Sequence, residues 1–236
     1  MGVLEEVVSH LLSWLEDGKN IMKFASDPDI NYKELVREGY DRCAQAYAAS
    51  RQADANPELS ILIERLPPNA TVLDIGCGGG IPVCQQLAKC ASVTGIDISA
   101  AMVALARENV PSAEFTCSDI MQLEFPASSF DAVTSFYAIF HLPKEEHEEL
   151  FRRIHLWLKP KGYLMSTLAK FDEAPYTEDG FFDVTMYWSN YGISRYREML
   201  ISLGFLILED TRVGHGYRSG VTEVQEAHPL IFAQKE

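Results

Sequence analysis

The stretch Thr71-Val72-Leu73-Asp74-Ile75-Gly76-Cys77-Gly78-Gly79-Gly80-Ile81-Pro82 decides how the rest of the chain is read. Val72, Leu73 and Ile75 make the short apolar run that a buried strand requires. Glycines follow at once, then Pro82, then the helix-like run Val83-Cys84-Gln85-Gln86-Leu87-Ala88. Proline suits the first turn of a helix, where its missing N–H is not needed. The stretch therefore predicts strand, tight glycine turn and helix start. Such a turn brings bare backbone and its N–H donors close to a ligand.

Downstream the pattern repeats. Ser92 to Asp97 is a second apolar strand ending in an acid, and Ser99 can cap a helix over Ala100 to Asn109. Glu114-Phe115-Thr116-Cys117 is a third strand, with Asp119 just beyond it. Phe130 to Tyr137 is a fourth, and Tyr163 to Ala169 a fifth after a charged helix over Lys144 to Leu158. Residues 170–193 break the rhythm with acidic and aromatic residues. A helix from Arg195 to Leu203 and strands at Phe205 to Leu208 and Pro229 to Ala233 complete the series. Alternation of this kind predicts an α/β fold with a seven-stranded, mostly parallel sheet flanked by helices. Upstream, residues 3–16, Tyr32 to Ser50 and Leu59 to Leu66 carry helical spacing. They form an N-terminal helical extension over residues 1–66, ahead of a main domain at 67–236 with an insert at about 170–193.

The bulk numbers exclude several classes. With 236 residues and 47% hydrophobic content, one domain with additions and a sizeable core is expected. A net charge of −14 argues against a nucleic-acid partner and against attachment to anionic lipid. No apolar run approaches the ~20 residues of a membrane span. Glu5 and Glu6 stand where a signal peptide would be basic. The five cysteines are odd in number and lack C-x-x-C spacing, so free thiols and a cytoplasmic location are expected.

The glycine turn distinguishes ligand classes. A dinucleotide fingerprint needs G-x-G-x-x-G, and Ile81 occupies its third glycine position. Asp74, just before Gly76, would repel a pyrophosphate but suits an ammonium or sulfonium ligand. Together with Asp97-Ile98-Ser99, Ser118-Asp119-Ile120, Phe130-Asp131-Ala132-Val133 and Leu158-Lys159-Pro160-Lys161-Gly162, the stretch resembles the Rossmann-like class I S-adenosylmethionine-dependent methyltransferases. Within that family it is most similar to small-molecule enzymes of the ubiquinone-biosynthesis type.

The resemblance implies S-adenosyl-L-methionine as cofactor, S-adenosyl-L-homocysteine as product, and roles for matching positions. Gly76, Gly78 and Gly80 would line the amino-acid end and sugar, and Asp74 would face the ammonium. Asp97 would take both ribose hydroxyls, since a carboxylate accepts two hydrogen bonds. Asp119 would accept from the adenine amine, with Ile120, Ile98 and Met102 packing on the ring. Phe136 would sit beside the methyl donor. Tyr40 and Tyr47, on the preceding helix, would close over the site.

Methyl transfer from a sulfonium is an in-line displacement governed by positioning. His141 is the first candidate for a base, with Tyr137 beside it. His215 and Tyr217, in a glycine-bearing late loop, are the second choice. Tyr187 and Trp188 are expected to wall a small-molecule acceptor pocket suited to an aromatic or apolar body. Asp131 begins its strand, at the wrong end of the sheet for a ligand. No histidine pairing suggests a metal. The oligomer is a monomer or a homodimer. Rival readings are a cofactor-binding partner subunit without transfer, a cyclase or isomerase that leaves the cofactor unchanged, and, least supported, an NAD-dependent oxidoreductase.

Overall fold

A computed structural model describes residues 22–25, 27, 29–51, 56–213 and 228–236, with side chains placed except over 209–213. The expected helix at 3–16 and the loop carrying His215 and Tyr217 lie outside the described residues. The elements in order are β1 (Met22–Phe24), α1 (Tyr32–Arg51), α2 (Leu59–Ile63), β2 (Ala70–Ile75), α3 (Val83–Leu87), β3 (Ala91–Asp97), α4 (Ala100–Asn109), β4 (Glu114–Cys117) and β5 (Phe130–Ser135). There follow α5 (His147–Trp157), β6 (Leu158–Thr167), β7 (Glu173–Phe181), β8 (Val184–Asn190), α6 (Ile193–Ser202), β9 (Phe205–Val213) and β10 (His228–Lys235).

Seven strands form one sheet in the order β4-β3-β2-β5-β6-β10-β9. The pairs among β4, β3, β2, β5 and β6 are parallel, and β10 runs antiparallel between β6 and β9. This is the expected Rossmann-like sheet. Successive residues of a strand feed opposite faces. Val72, Ala132, Leu230 and Phe232 join the core on one face, and Leu73, Val133, Ile231 and Ala233 the core on the other. Both faces are covered, so the inner strands read as continuous apolar runs.

Three expectations change. Residues 170–193 are not an irregular insert. β7 and β8 form a hairpin, and β1 adds to β7 to make a separate three-stranded sheet. The Lys159–Gly162 segment does not separate helix from strand, because β6 begins at Leu158 directly after α5. The positive φ of Lys161 (64°) and the tight fit at Gly162, where a Cβ would stand 2.9 Å from the Lys159 carbonyl, accommodate that join. α5 is also shorter than expected, since Lys144–Glu146 is a 3-10 turn ahead of it.

A third apolar cluster joins the small sheet to α1. Val36 and Cys43 of α1 pack with Val184, Met186 and Tyr187 of β8, ringed by Tyr32, Tyr40, Tyr47 and Phe181. Gly39 lets the two elements touch: a Cβ there would meet the Met186 Cε at 3.0 Å and the Thr185 carbonyl at 3.3 Å. α1 and the hairpin thus form one cover over the carboxyl ends of the central strands.

Candidate active site

From β2 the chain passes to β3 on one side of the sheet, and β5 lies on β2's other side. Ligands of open α/β sheets bind at such a switch, beyond the strands' carboxyl ends. A cavity of about 710 Å³ lies there. Gly76 and Gly78 of the turn, Asp97 at the end of β3, Asp119 beyond β4, and His141 beyond β5 all line it, with Tyr40 and Tyr47 of α1 opposite.

Gly76 takes φ +70°, and a Cβ there would fall 2.1 Å from the Ala138 Cβ. Gly78 takes φ +52° with open space before its Cα, so it presents bare backbone to the cavity. Gly80 lines neither of the two hollows, and a Cβ there would press on Val110 at 3.2 Å and on Ala106 at 3.4 Å, so the glycine lets the turn pack closely against α4.

Asp97 is buried and holds the turn. Its Oδ2 accepts from the Gly78 N–H (2.8 Å) and its Oδ1 from the Ser99 N–H (2.9 Å). Each carboxylate oxygen retains a further lone pair. Burial pushes Asp97 up to about 6, against the pull of these backbone donors. Ser99 caps α4 by accepting from the Met102 N–H (3.1 Å), and Ile98 and Met102 line the cavity. Asp119 caps the 3-10 turn Ile120–Gln122 through the Met121 N–H (2.9 Å), while its other oxygen accepts from the Lys33 ammonium (2.9 Å). Ile120 lies beside it on the cavity wall.

Asp74 occupies a second hollow of about 530 Å³, shared with Gly76, Gly78 and Arg51. Its oxygens accept from the Thr134 hydroxyl (2.7 Å) and the Cys84 thiol (3.1 Å). Burial raises it to about 6, with Asp97's charge adding to the rise. Arg51 lies with its guanidinium carbon 5.0 Å from the centroid of the Tyr137 ring. Phe136 borders both hollows.

His141 ends the 3-10 turn Ile139–His141 and is buried. Its Nδ1 lies 2.7 Å from the Tyr187 carbonyl, which only accepts, so Nδ1 carries the proton. Burial lowers the ring to about 4, so it is neutral near pH 7. Nε2 then accepts from the Tyr40 hydroxyl (2.9 Å). Tyr137, next along the cavity wall, takes φ +58° and donates its N–H to the Thr167 hydroxyl (2.6 Å). A bulky residue in the left-handed region costs energy that the surroundings must supply.

Tyr187 and Trp188, expected to wall the acceptor pocket, line neither of the two hollows. The Tyr187 ring stacks on Tyr32 at 4.6 Å and meets His141 only through its carbonyl. Trp188 lies 5.5 Å from the His141 ring and stacks on Tyr176 at 5.5 Å, backing the histidine from behind. β8 pairs with β7 at that position, which turns these rings into the cover's own core. Asp131, at the amino end of β5, binds Thr71 and Lys159 instead. His147 is spent on the Tyr196 hydroxyl and the Leu142 carbonyl. Among the described residues no cluster of His, Cys, Asp or Glu could hold a metal ion.

Lys33 and Arg51 line the two hollows and were not legible as site residues, although a signal existed. Residues 33, 40, 47 and 51 recur at spacings of seven, seven and four, which places them on one helical face.

A methyltransferase-domain family model matches residues 72–162, from β2 through the start of β6. Over that span the chain is similar to methyltransferase domains. It is 32% identical over 206 residues to phosphoethanolamine N-methyltransferase 1 of Arabidopsis thaliana, covering 83% of this chain and 40% of that protein. Over 125 residues it is 38% identical to phosphoethanolamine N-methyltransferase of Plasmodium falciparum, covering 51% of this chain and 47% of the relative. The chain thus spans less than half the length of these relatives. Its fold matches the crystal structure of a Burkholderia thailandensis 1,6-didemethyltoxoflavin-N1-methyltransferase with a TM-score of 0.68 at 18% identity, over 92% of this chain and 95% of that one. That structure contains S-adenosylhomocysteine and 1,6-didemethyltoxoflavin. Among the described residues no helix is long and apolar enough to cross a membrane.

Proposed function

We propose that the chain transfers a methyl group from S-adenosylmethionine to a small molecule with an aromatic or apolar body. One observation carries this reading: a single cavity joins the glycine turn and the strand-end acids Asp97 and Asp119 to the His141–Tyr40 pair. The residues present fit the cofactor. Asp97 has lone pairs for a diol, Asp119 offers an acceptor to an exocyclic amine, and Gly78 leaves its Cα face open. Asp74 and Arg51 share the second hollow, an acid and a cation that complement the two charges of an amino-acid end. When bound, the cofactor supplies an electrophilic methyl on a positively charged sulfur.

The chain's own residues do the rest. α1 and the hairpin exclude water from the acceptor side. The Tyr187 carbonyl fixes the His141 tautomer, and Nε2 faces the Tyr40 hydroxyl as a neutral acceptor. Burial keeps the ring neutral near pH 7, so Nε2 can receive the Tyr40 proton while the Tyr40 oxygen takes the acceptor's as the nucleophile's charge changes. His141→Phe is expected to lower kcat about 10²-fold or more while S-adenosylhomocysteine affinity stays within threefold, as loss of acid–base catalysis does. Steady-state kinetics beside a binding titration reads both quantities, and an unchanged kcat removes His141 from the chemistry.

The pH dependence follows from the buried acids. Asp97 and Asp74 stand near 6, above the ordinary carboxylate value of 3.8. The folded chain therefore holds their protons more tightly than the unfolded chain does. Their contribution to stability is fully present below about 3.8 and is lost as pH rises to about 6. Cofactor binding runs the other way, because a diol and an ammonium need the ionised forms. Affinity for S-adenosylhomocysteine is expected to rise with pH through about 6 and then level off. Titrations from pH 5 to pH 8 on the wild type and Asp97→Asn check this, the variant showing the smaller slope.

The activity test is incubation with methyl-labelled S-adenosylmethionine and a metabolite panel that includes phosphoethanolamine and a methylated hydroquinone. Label on a product supports transfer. A converted acceptor with unchanged cofactor points to a cyclase, and binding without any turnover points to a partner subunit. The free thiols and the charge of −14 support a cytoplasmic enzyme without nucleic-acid partners, working as a monomer or homodimer. Sedimentation equilibrium distinguishes the last two.

A further inference from the structure

Three polar contacts tie α1 to the rim of the cavity, each reaching the carboxyl end of a different strand. Lys33 meets Asp119 beyond β4. Asp41 accepts from the Ser99 hydroxyl (2.7 Å) and the Ala101 N–H (3.1 Å) beyond β3, next to Asp97. Tyr40 meets His141 beyond β5. The first differs from the other two. Its ammonium lines the cavity and holds the same carboxylate that the base of the cofactor would use. Lys33 also contacts Glu146 at 2.5 Å, in the turn ahead of α5, and its side chain is only 19% exposed. One cation therefore bridges the cover, the base end of the cavity and the main domain. Burial works against that charge, yet Asp119 and Glu146 outweigh it and raise the Lys33 pKa.

From this geometry we infer that Lys33 is a positioning residue that latches the cover at the base end of the cofactor cavity and sets how fast the nucleoside leaves. The inference rests on the proposed cofactor reading. Lys33 keeps one oxygen of Asp119 turned toward α1 and leaves that carboxylate's other lone pairs for an exocyclic amine. α1 cannot lift without parting the ammonium from both acids. Separating a half-buried cation from two carboxylates is costlier than breaking an exposed pair. Escape of a bound nucleoside must then wait for the bridge to open. The effect belongs mainly to the dissociation rate, where most differences among variants of one site fall.

The test is a stopped-flow chase of prebound S-adenosylhomocysteine from the full chain, with hydrogen exchange of the α1 amides read in parallel. Lys33→Met is expected to release the ligand about tenfold faster and to lose the ligand-induced protection of α1. Lys33→Arg restores a rate within about threefold of the wild type, because it keeps the bridging charge. Glu146→Gln, which leaves α1 and Asp119 untouched, falls between them and stands in if Lys33→Met fails to fold. A general loss of stability would instead move the melting temperature of the empty protein and would not be rescued by arginine. Rates within twofold for Lys33→Met, or for Glu146→Gln in its place, overturn the latch, as does an arginine variant as fast as the methionine one. If the wild type binds no S-adenosylhomocysteine, the cofactor reading itself fails and the latch fails with it. Normal wild-type binding with unchanged variant rates removes the latch alone.

Discussion

Asp97→Ala is expected to weaken S-adenosylhomocysteine binding by about 1.5–3 kcal/mol, roughly 10- to 150-fold, as loss of hydrogen bonds to a charged group does. Two losses combine. The carboxylate that would take both ribose hydroxyls disappears, and so does the acceptor that pins the Gly78 and Ser99 N–H groups. Gly78 is the turn residue that faces the cavity with open space, so its release also disorders the wall the ligand packs on. Asp97→Asn separates the two losses, since its amide oxygen can still accept one of these N–H groups. Its affinity should fall between wild type and alanine. The empty alanine variant should remain folded, because the buried carboxyl it loses is costly to ionise. Calorimetric titration of the three proteins makes the check, and equal affinities would remove Asp97 from the site.

Gly76→Ala is expected to be the most destabilising single substitution in the turn. A Cβ there would stand 2.1 Å from the Ala138 Cβ, a distance that only backbone movement can relieve. Overpacking of that kind costs ~1–3 kcal/mol. The φ of +70° adds ~1–2 kcal/mol for any residue with a Cβ. Together they lower the melting temperature by roughly 5–15 °C for a chain of this size. Ala138 leads into the turn that carries His141, so the same shift moves the acceptor end. Gly78→Ala is the control. It shares the strained φ but meets nothing within 4 Å, so it should cost less stability while still narrowing the cavity. Thermal denaturation ranks the two, and equal melting temperatures would refute the packing argument at Gly76.

The inner sheet was legible because strands buried on both faces must be apolar throughout. Val72, Leu73 and Ile75, then Val93 and Ile96, could hardly be read otherwise. Asp97 and Asp119 were legible for a related reason: an acid at the end of such a run stands out from it. The hairpin was not. β7 carries aromatic rings only at Tyr176 and Phe181, five residues apart, and its buried position is Glu178, so no period-two apolar pattern marks it; its turn puts Phe182 and Asp183 at positive φ where Asn-Gly or Gly would signal a hairpin. Without that pairing Tyr187 and Trp188 read as a wall of the acceptor pocket, whereas the register buries Tyr187 and sets the half-buried Trp188 against the His141 ring. Lys33 and Arg51 were hidden differently. A charge on an amphipathic helix reads as a solvated face, and only the position of α1 over the strand ends turns it inward. Gly80 shows the converse: its place in a motif suggests a ligand contact, while its close approach to Val110 and Ala106 comes only from the fold.

Calorimetric titration of the wild-type chain with S-adenosylhomocysteine near pH 7.5 tests the central claim most directly, that the glycine turn and the two strand-end acids form one nucleoside site. The account predicts saturable binding of one ligand per chain, lost in large part in Asp97→Ala. No binding up to about 1 mM ligand, or binding that Asp97→Ala leaves intact, would contradict it.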